Sequence, residues 1–205
     1  GQALMRVPLP PRPSRPQRAR RRSAQERSAA VFAALRNLLI EQPWGDVTLE
    51  AVARDAGVSR QTLYNTFGSR YGLARAYTLA LADALCDVIA EAVAEHPGDP
   101  RAGLEHGLLF FFQSAADDPL IGRVREGDAH PDLVRIVTAD AAPLLVLVTG
   151  RLEEMARAAW PDVDGARAFA RTTARLAASY VTMPPEDDAD PADLAAELAD
   201  VLAPR

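Results

Sequence analysis

Lysine is absent from all 205 residues, so each of the 23 basic side chains is an arginine. That is a bias of composition rather than a mechanism. A single cysteine excludes an internal disulfide, and Cys86 falls on an apolar helical stripe with Leu85 and Ile89, the setting of a buried structural thiol. No apolar run approaches the roughly 20 residues of a membrane span, and no secretory signal is visible, so a cytoplasmic protein with no membrane partner is expected. Enzymatic signatures are missing as well: no phosphate-cradling glycine loop, no His-Glu-x-x-His and no cysteine pairs at zinc spacing. His96, His106 and His130 stand apart, two of them beside loop-forming residues. No catalytic residue, cofactor or metal is therefore expected.

What is present is charge of opposite sign in two places. Residues 1–70 hold twelve arginines and five acidic residues, a net of +7; the whole chain is −5, which leaves −12 for the rest. A basic front and an acidic back point to a polyanionic partner for the front alone. The composition, 48% hydrophobic and 25% charged, is globular and sufficient for a sizeable core.

The stretch Thr48–Gly72 organises the chain. Thr48 is placed to N-cap a short helix whose apolar face is Leu49, Val52 and Ala53. Gly57 follows where that helix must stop within one residue, which a left-handed glycine does without steric cost. Ser59 is the next N-cap. Leu63 and Phe67, four apart, face inward, while Arg60, Gln61, Thr62, Tyr64 and Thr66 form a polar outer side suited to a DNA major groove. By itself, a pair of short helices around a glycine turn is equally common as plain helical packing.

The run Val58-Ser59-Arg60-Gln61-Thr62-Leu63-Tyr64-Asn65-Thr66-Phe67-Gly68-Ser69-Arg70 resembles the signature of the TetR family of bacterial transcriptional regulators, with Ala53, Ala56 and Gly57 also matching upstream. Arg70 departs from it, standing where the family usually has lysine. The stretch is also similar to actinobacterial members associated with alkane and fatty-acid metabolism. The resemblance implies an all-α protein: an N-terminal three-helix DNA-binding domain with a helix-turn-helix, joined by a long helix to a C-terminal helical ligand-binding and dimerisation domain. It further implies a ligand-responsive repressor that binds a palindromic double-stranded DNA operator as a homodimer, with the long helix swinging when an effector binds. Arg60, Gln61 and Thr66 are then expected at base edges, and Ser59, Thr48, Thr62, Tyr64 and Arg70 at the DNA backbone or beside it.

Around that motif the chain divides into residues 1–22, an Arg/Pro-rich arm; 23–70, the DNA-binding domain; and 71–205, the effector-binding and dimerisation domain. The arm carries seven arginines and no acid, so disorder without DNA is expected, with Arg18, Arg20, Arg21 and Arg22 adding DNA contacts. The plainer alternative is a solubilising tail. Ser23 and Glu26 read as a capping box opening the first helix, through residue 41, and Trp44 and Val47 read as plugs for the small head core. A long amphipathic helix follows over about 70–95. Helices are then expected over 101–116, a short piece to about 126, 132–159 with a kink or break at Pro143, 164–183 and 190–203.

An effector pocket is implied by the resemblance rather than by any pattern. Leu108, Phe111, Phe112, Leu144, Leu147 and Met155 would line it and favour an elongated apolar ligand such as a fatty acid, acyl ester or alkane. Arg123, His106, His130 and Gln113 are the polar residues available to orient a head group, each equally readable as a surface or capping residue. In the resembled family the last two helices pair with their two-fold mates, which points to Phe169, Thr173, Leu176, Tyr180, Leu194 and Leu198 as a dimer interface, against a reading in which those stripes complete the subunit's own core. Two other functions stay open: a non-specific or architectural DNA-binding protein driven by the arginine arm, and a transcriptional activator.

Overall fold

The computed structural model describes residues 15–126, 129–185 and 189–204, with side chains from residue 23 onward. Among these residues the secondary structure is entirely helical. The head comprises α1 (Arg15–Glu41), α2 (Leu49–Ala56) and α3 (Arg60–Phe67), and the connecting helix is α4 (Arg70–Ala94). The body comprises α5 (Pro100–Ala116), α6 (Pro119–Arg125), α7 (Pro131–Val137), α8 (Ala142–Ala159), α9 (Ala166–Thr182) and α10 (Pro191–Leu202). No single helix among the described residues is long and apolar enough to cross a membrane.

The chain's punctuation follows its chemistry. Thr48 and Ser59 cap α2 and α3 through their side-chain oxygens, and Gly57 closes α2 at φ 68°. Asp99, Asp118 and Asp190 cap α5, α6 and α10, each just before a proline that fits the first turn because its missing N–H has no intrahelical partner there. The expected helix over 132–159 is two helices, broken at residues 138–141 just ahead of Pro143.

α1 begins eight residues before Ser23, so Ser23 is not an N-cap; its hydroxyl accepts from Arg27 Nη1 at 2.7 Å within the helix. Glutamine, alanine and arginine are all good helix formers, and Pro16 sits in the first turn where it is tolerated. The expected arm therefore lies partly in α1: the backbone of Arg18, Arg20, Arg21 and Arg22 is helical, while residues 1–14 lie outside the described residues.

Two cores result, joined through α4. The first gathers Leu35, Leu39, Trp44, Val47, Val52, Leu63, Leu73 and Tyr77 of the head and α4, together with Leu120 of α6 and Leu133 and Ile136 of α7. The second is built from α4, α5, α8, α9 and α10 around Ile89, Leu104, Leu108 and Leu152. Leu81 of α4 packs against both. The head core is thus completed by two helices of the body.

One buried carboxylate binds that junction. Asp118 Oδ2 accepts from Tyr77 Oη on α4 at 2.6 Å and from Arg36 Nη1 on α1 at 3.0 Å, while Oδ1 accepts from the amides of Leu120 and Ile121. Burial, then the neighbouring carboxylate, pushes the Tyr77 hydroxyl well above its ordinary pKa. Arg123 of α6 adds a second tie, donating to the Leu39 carbonyl from Nε and Nη2 at 3.1 and 2.9 Å.

Candidate DNA-binding face and effector cavity

The α2–turn–α3 unit is held from beneath and open above. Leu63 is buried, and Phe67 packs on Phe32 with ring centres 6.0 Å apart. Arg60, Gln61, Tyr64, Asn65 and Thr66 are exposed. Arg60 Nη1 lies 2.8 Å from Glu50 Oε1, and its guanidinium carbon is 5.5 Å from the Tyr64 ring centre. Both partners of that ion pair are more than half exposed, so it is worth at most about 1 kcal/mol and leaves the guanidinium available to other acceptors. Gln61 Nε2 donates to Asn65 Oδ1 at 2.8 Å, and Thr66 Oγ1 donates to the Thr62 carbonyl at 2.8 Å, keeping its lone pairs outward. Asn65 joins this outer face beyond the residues expected from sequence, one helical turn after Gln61.

Thr48, Ser59 and Thr62 are engaged locally. Thr48 Oγ1 accepts from the Ala51 amide at 3.1 Å; Ser59 Oγ accepts from the Thr62 amide at 3.1 Å and shares a hydrogen bond with the Thr62 hydroxyl at 2.8 Å. These hydroxyls set the ends of α2 and α3, where helix N-termini favour an anion.

Arg70 departs from expectation. Instead of standing free for a phosphate, its Nη1 donates to the carbonyls of Trp44, Gly45 and Val47 at 3.1, 3.1 and 2.9 Å, and its guanidinium stacks 4.8 Å from the Trp44 ring centre. Asp132 of α7 lies 3.9 Å from Nη2. The two hydrogens of Nη1 are shared among the three carbonyls, which converge on that one nitrogen. Arg70 is a brace between the start of α4, the α1–α2 link and α7.

Behind the head lies a cavity of about 330 Å³, within the range of small-ligand sites. α4 contributes Leu81, Leu85, Cys86 and Ile89; α6 and α7 contribute Ile121, Val124 and Val137; α8 contributes Leu144, Leu145 and Val148; α9 closes it with Ala174, Ala178 and Val181. The few wall hydroxyls are largely occupied, since Thr78, Thr138 and Thr182 each donate to a carbonyl one turn back. Arg175 and Ser179 are exposed polar groups at its edge. On the flank of the wall, Arg151 of α8 pairs with both Asp83 and Asp87 of α4.

Of the six expected lining residues, Phe111 and Leu144 face the cavity. Leu108, Phe112 and Met155 are instead buried in the body core and Leu147 is half-buried, none of them on the cavity wall. They share helices with the wall but lie off it, Leu108, Phe112 and Met155 in the core that α9 and α10 complete, a rotation that an almost uniformly apolar helix leaves unspecified. The expected head-group residues also lie elsewhere: Arg123 caps α1, His130 caps α7, His106 pairs with His96, and Gln113 is exposed.

The expected dimer residues divide likewise. Thr173 is buried on α9, and Leu194 and Leu198 are buried within the subunit because α10 lays its leucine stripe along α5. Phe169, Leu176 and Tyr180 are half-buried against the same core. Residues turned outward on α8 and α9 include Val146, Gly150, Ala168 and Thr172.

Residues 31–77 match the bacterial regulatory proteins of the tetR family, and residues 99–204 match the C-terminal domain of the bacterial tetracyclin repressor. The chain belongs to the TetR family. It is 40% identical over 177 residues to the HTH-type transcriptional regulator AlkX of Mycobacterium tuberculosis, covering 85% of this chain and 82% of that protein. The crystal structure of the TetR family repressor AlkX from Dietzia sp., implicated in biodegradation of n-alkanes, shares the fold with a TM-score of 0.76 and 38% identity, over 86% of this chain and 92% of that one. The HTH-type regulator EthR of Mycolicibacterium smegmatis is 31% identical over 116 residues, 55% of this chain and 52% of that protein. This TetR-family protein is accordingly a helix-turn-helix transcriptional regulator.

Proposed function

We propose that this TetR-family regulator is a repressor that binds a palindromic operator as a homodimer and releases it when an elongated apolar molecule, of the fatty acid, acyl ester or alkane type, fills the cavity. The observation that carries the proposal is the double duty of α6 and α7: Leu120, Leu133 and Ile136 sit in the head core, while Ile121, Val124 and Val137 line the cavity. A ligand that displaces those side chains shifts the support beneath α1. The Dietzia AlkX, implicated in n-alkane biodegradation, supports the class of ligand. Two heads on a two-fold axis, about 34–36 Å apart, would each present Arg60, Gln61 and Thr66 to one half-site. The contact between copies is assigned to the outward residues of α8 and α9 rather than to Leu194 and Leu198. Residues 1–22, with Arg18, Arg20, Arg21 and Arg22, would add phosphate contacts.

The test begins with selection of bound sequences from a random duplex library by the full-length protein, and continues with release of the recovered operator by saturated chains of increasing length. Each added methylene should tighten the effector about fourfold, since burying one is worth about 0.8 kcal/mol, until the cavity is full. Failure to recover a palindrome would remove the operator reading. Release independent of chain length would remove the apolar effector.

A further inference from the structure

At the end of α4 farthest from the head, three side chains that can bind a metal converge. His96 Nε2 lies 3.1 Å from His106 Nδ1, and Glu95 Oε2 lies 3.7 Å from the same Nδ1. All three donor atoms lie within 4.8 Å of one another. From these distances we propose that Glu95, His96 and His106 form a binding site for a divalent cation of the zinc type, pinning the end of α4 to α5.

The geometry is close to what such an ion requires. Zinc bound tetrahedrally at roughly 2.0–2.2 Å from nitrogen and oxygen holds its ligand atoms roughly 3.3–3.5 Å apart, so the two distances to His106 need shifts of a few tenths of an ångström, and rotation of the exposed Glu95 side chain closes the third. Two imidazoles and a carboxylate suit zinc and its neighbours in the first transition row rather than calcium or magnesium, which select oxygen. Three protein ligands leave a fourth position for water. An ion placed between the imidazoles uses a lone pair from each, whereas the direct contact between them requires one ring to donate.

The backbone fixes the ligands independently of one another. Glu95 is the C-cap of α4, and His96 follows it in a turn closed by its carbonyl accepting from the Asp99 amide at 3.2 Å. His106 comes from α5, where its ring packs on Phe110 with centres 4.5 Å apart. Gly103 lets the helices meet here: a β-carbon on it would stand 3.3 Å from Val93 Cα and 3.5 Å from His96 Cβ. The C-terminal end of α4 also presents carbonyl oxygens, whose partial negative charge favours a cation. The sequence conceals the site because its histidines are ten residues apart, one in the turn after α4 and the other within α5.

The experiment is titration of the tag-free, full-length protein with cobalt(II), read by its visible d–d absorption, followed by displacement with zinc(II) and by melting in the presence and absence of zinc. One equivalent should produce a spectrum with imidazole ligation that zinc abolishes, and zinc should raise the melting temperature. Glu95→Gln, at an exposed position that packing does not depend on, should weaken binding more than about 100-fold, since even losing a group that only supports a ligand costs about 10–100-fold. His106→Ala should abolish the spectrum, and His130→Ala should leave it unchanged. Absence of a spectrum in the wild type, or a spectrum that survives both Glu95→Gln and His106→Ala, overturns the assignment and leaves the two rings in a direct hydrogen bond.

Discussion

Removing the Asp118 carboxylate tests the junction between head and body most directly. In Asp118→Ala, α6 loses its N-cap, about 1 kcal/mol, and the Tyr77 hydroxyl, only 6% exposed, loses its acceptor, a further 1–3 kcal/mol, roughly. The ion pair with Arg36 adds at most about 1 kcal/mol, because that guanidinium is 43% exposed and is rehydrated when freed. The sum is about 2–5 kcal/mol. Asp118→Asn keeps an oxygen for the cap and a group that the Tyr77 hydroxyl can meet as acceptor, but turns a donor toward Arg36, and should cost about 1–2 kcal/mol. Urea unfolding followed by far-ultraviolet circular dichroism reads both values, provided the slope with denaturant matches the wild type. Asp118→Ala costing under about 1 kcal/mol, or the two variants costing the same, would refute the hub.

Other expectations concern single side chains. Arg60→Ala should relax specificity at one base pair of each half-site by about 1–3 kcal/mol, read by competition with singly substituted operators; uniform weakening on every sequence would remove Arg60 from base reading. Arg70→Ala frees the carbonyls of Trp44, Gly45 and Val47 and should destabilise the protein by about 1.5–3 kcal/mol, read by thermal melting; a loss of DNA affinity at unchanged stability would restore it to a phosphate. Burial pushes the Cys86 thiol up to about 11, so at pH 8 its thiolate is roughly one part in a thousand, and alkylation should climb about tenfold per pH unit toward that value and slow when the cavity is filled. Labelling at pH 8 as fast as that of a free cysteine would show the thiol to be accessible.

Local signals at the turns proved readable, except for the Ser23 capping box, and long-range ones did not. Thr48, Gly57 and Ser59 carry their conformations in their own side chains, or in the lack of one, and the structure places each where the sequence required. Trp44 and Val47 are buried head residues, as a core short of bulk demands. Asp118, by contrast, reads as part of the helix-breaking Asp117-Asp118-Pro119; its partners Arg36 and Tyr77 are 82 and 41 residues away, and nothing in its neighbourhood announces them. Arg70 matched a pattern of phosphate contact, and only the folded α1–α2 link reveals the carbonyls it serves. The rotation of α5 and α8 about their own axes, which separates Leu108 and Met155 from the cavity wall, is set by which neighbour each face meets.

The shared wall of α6 also constrains how this regulator can be retuned. Leu120 lies in the head core and also on the cavity wall, and its neighbour Ile121 lines the same cavity from the body core. A substitution on that helix that reshapes the pocket also perturbs the support of the DNA-reading surface, so ligand preference and operator control cannot be varied separately there. Leu144, Leu145 and Val148 of α8, with Ala178 of α9, line the cavity without entering the head core. Redesign of the regulator as a sensor for a different molecule has its freedom on that side, where steric changes reach the ligand and leave the head's foundations alone.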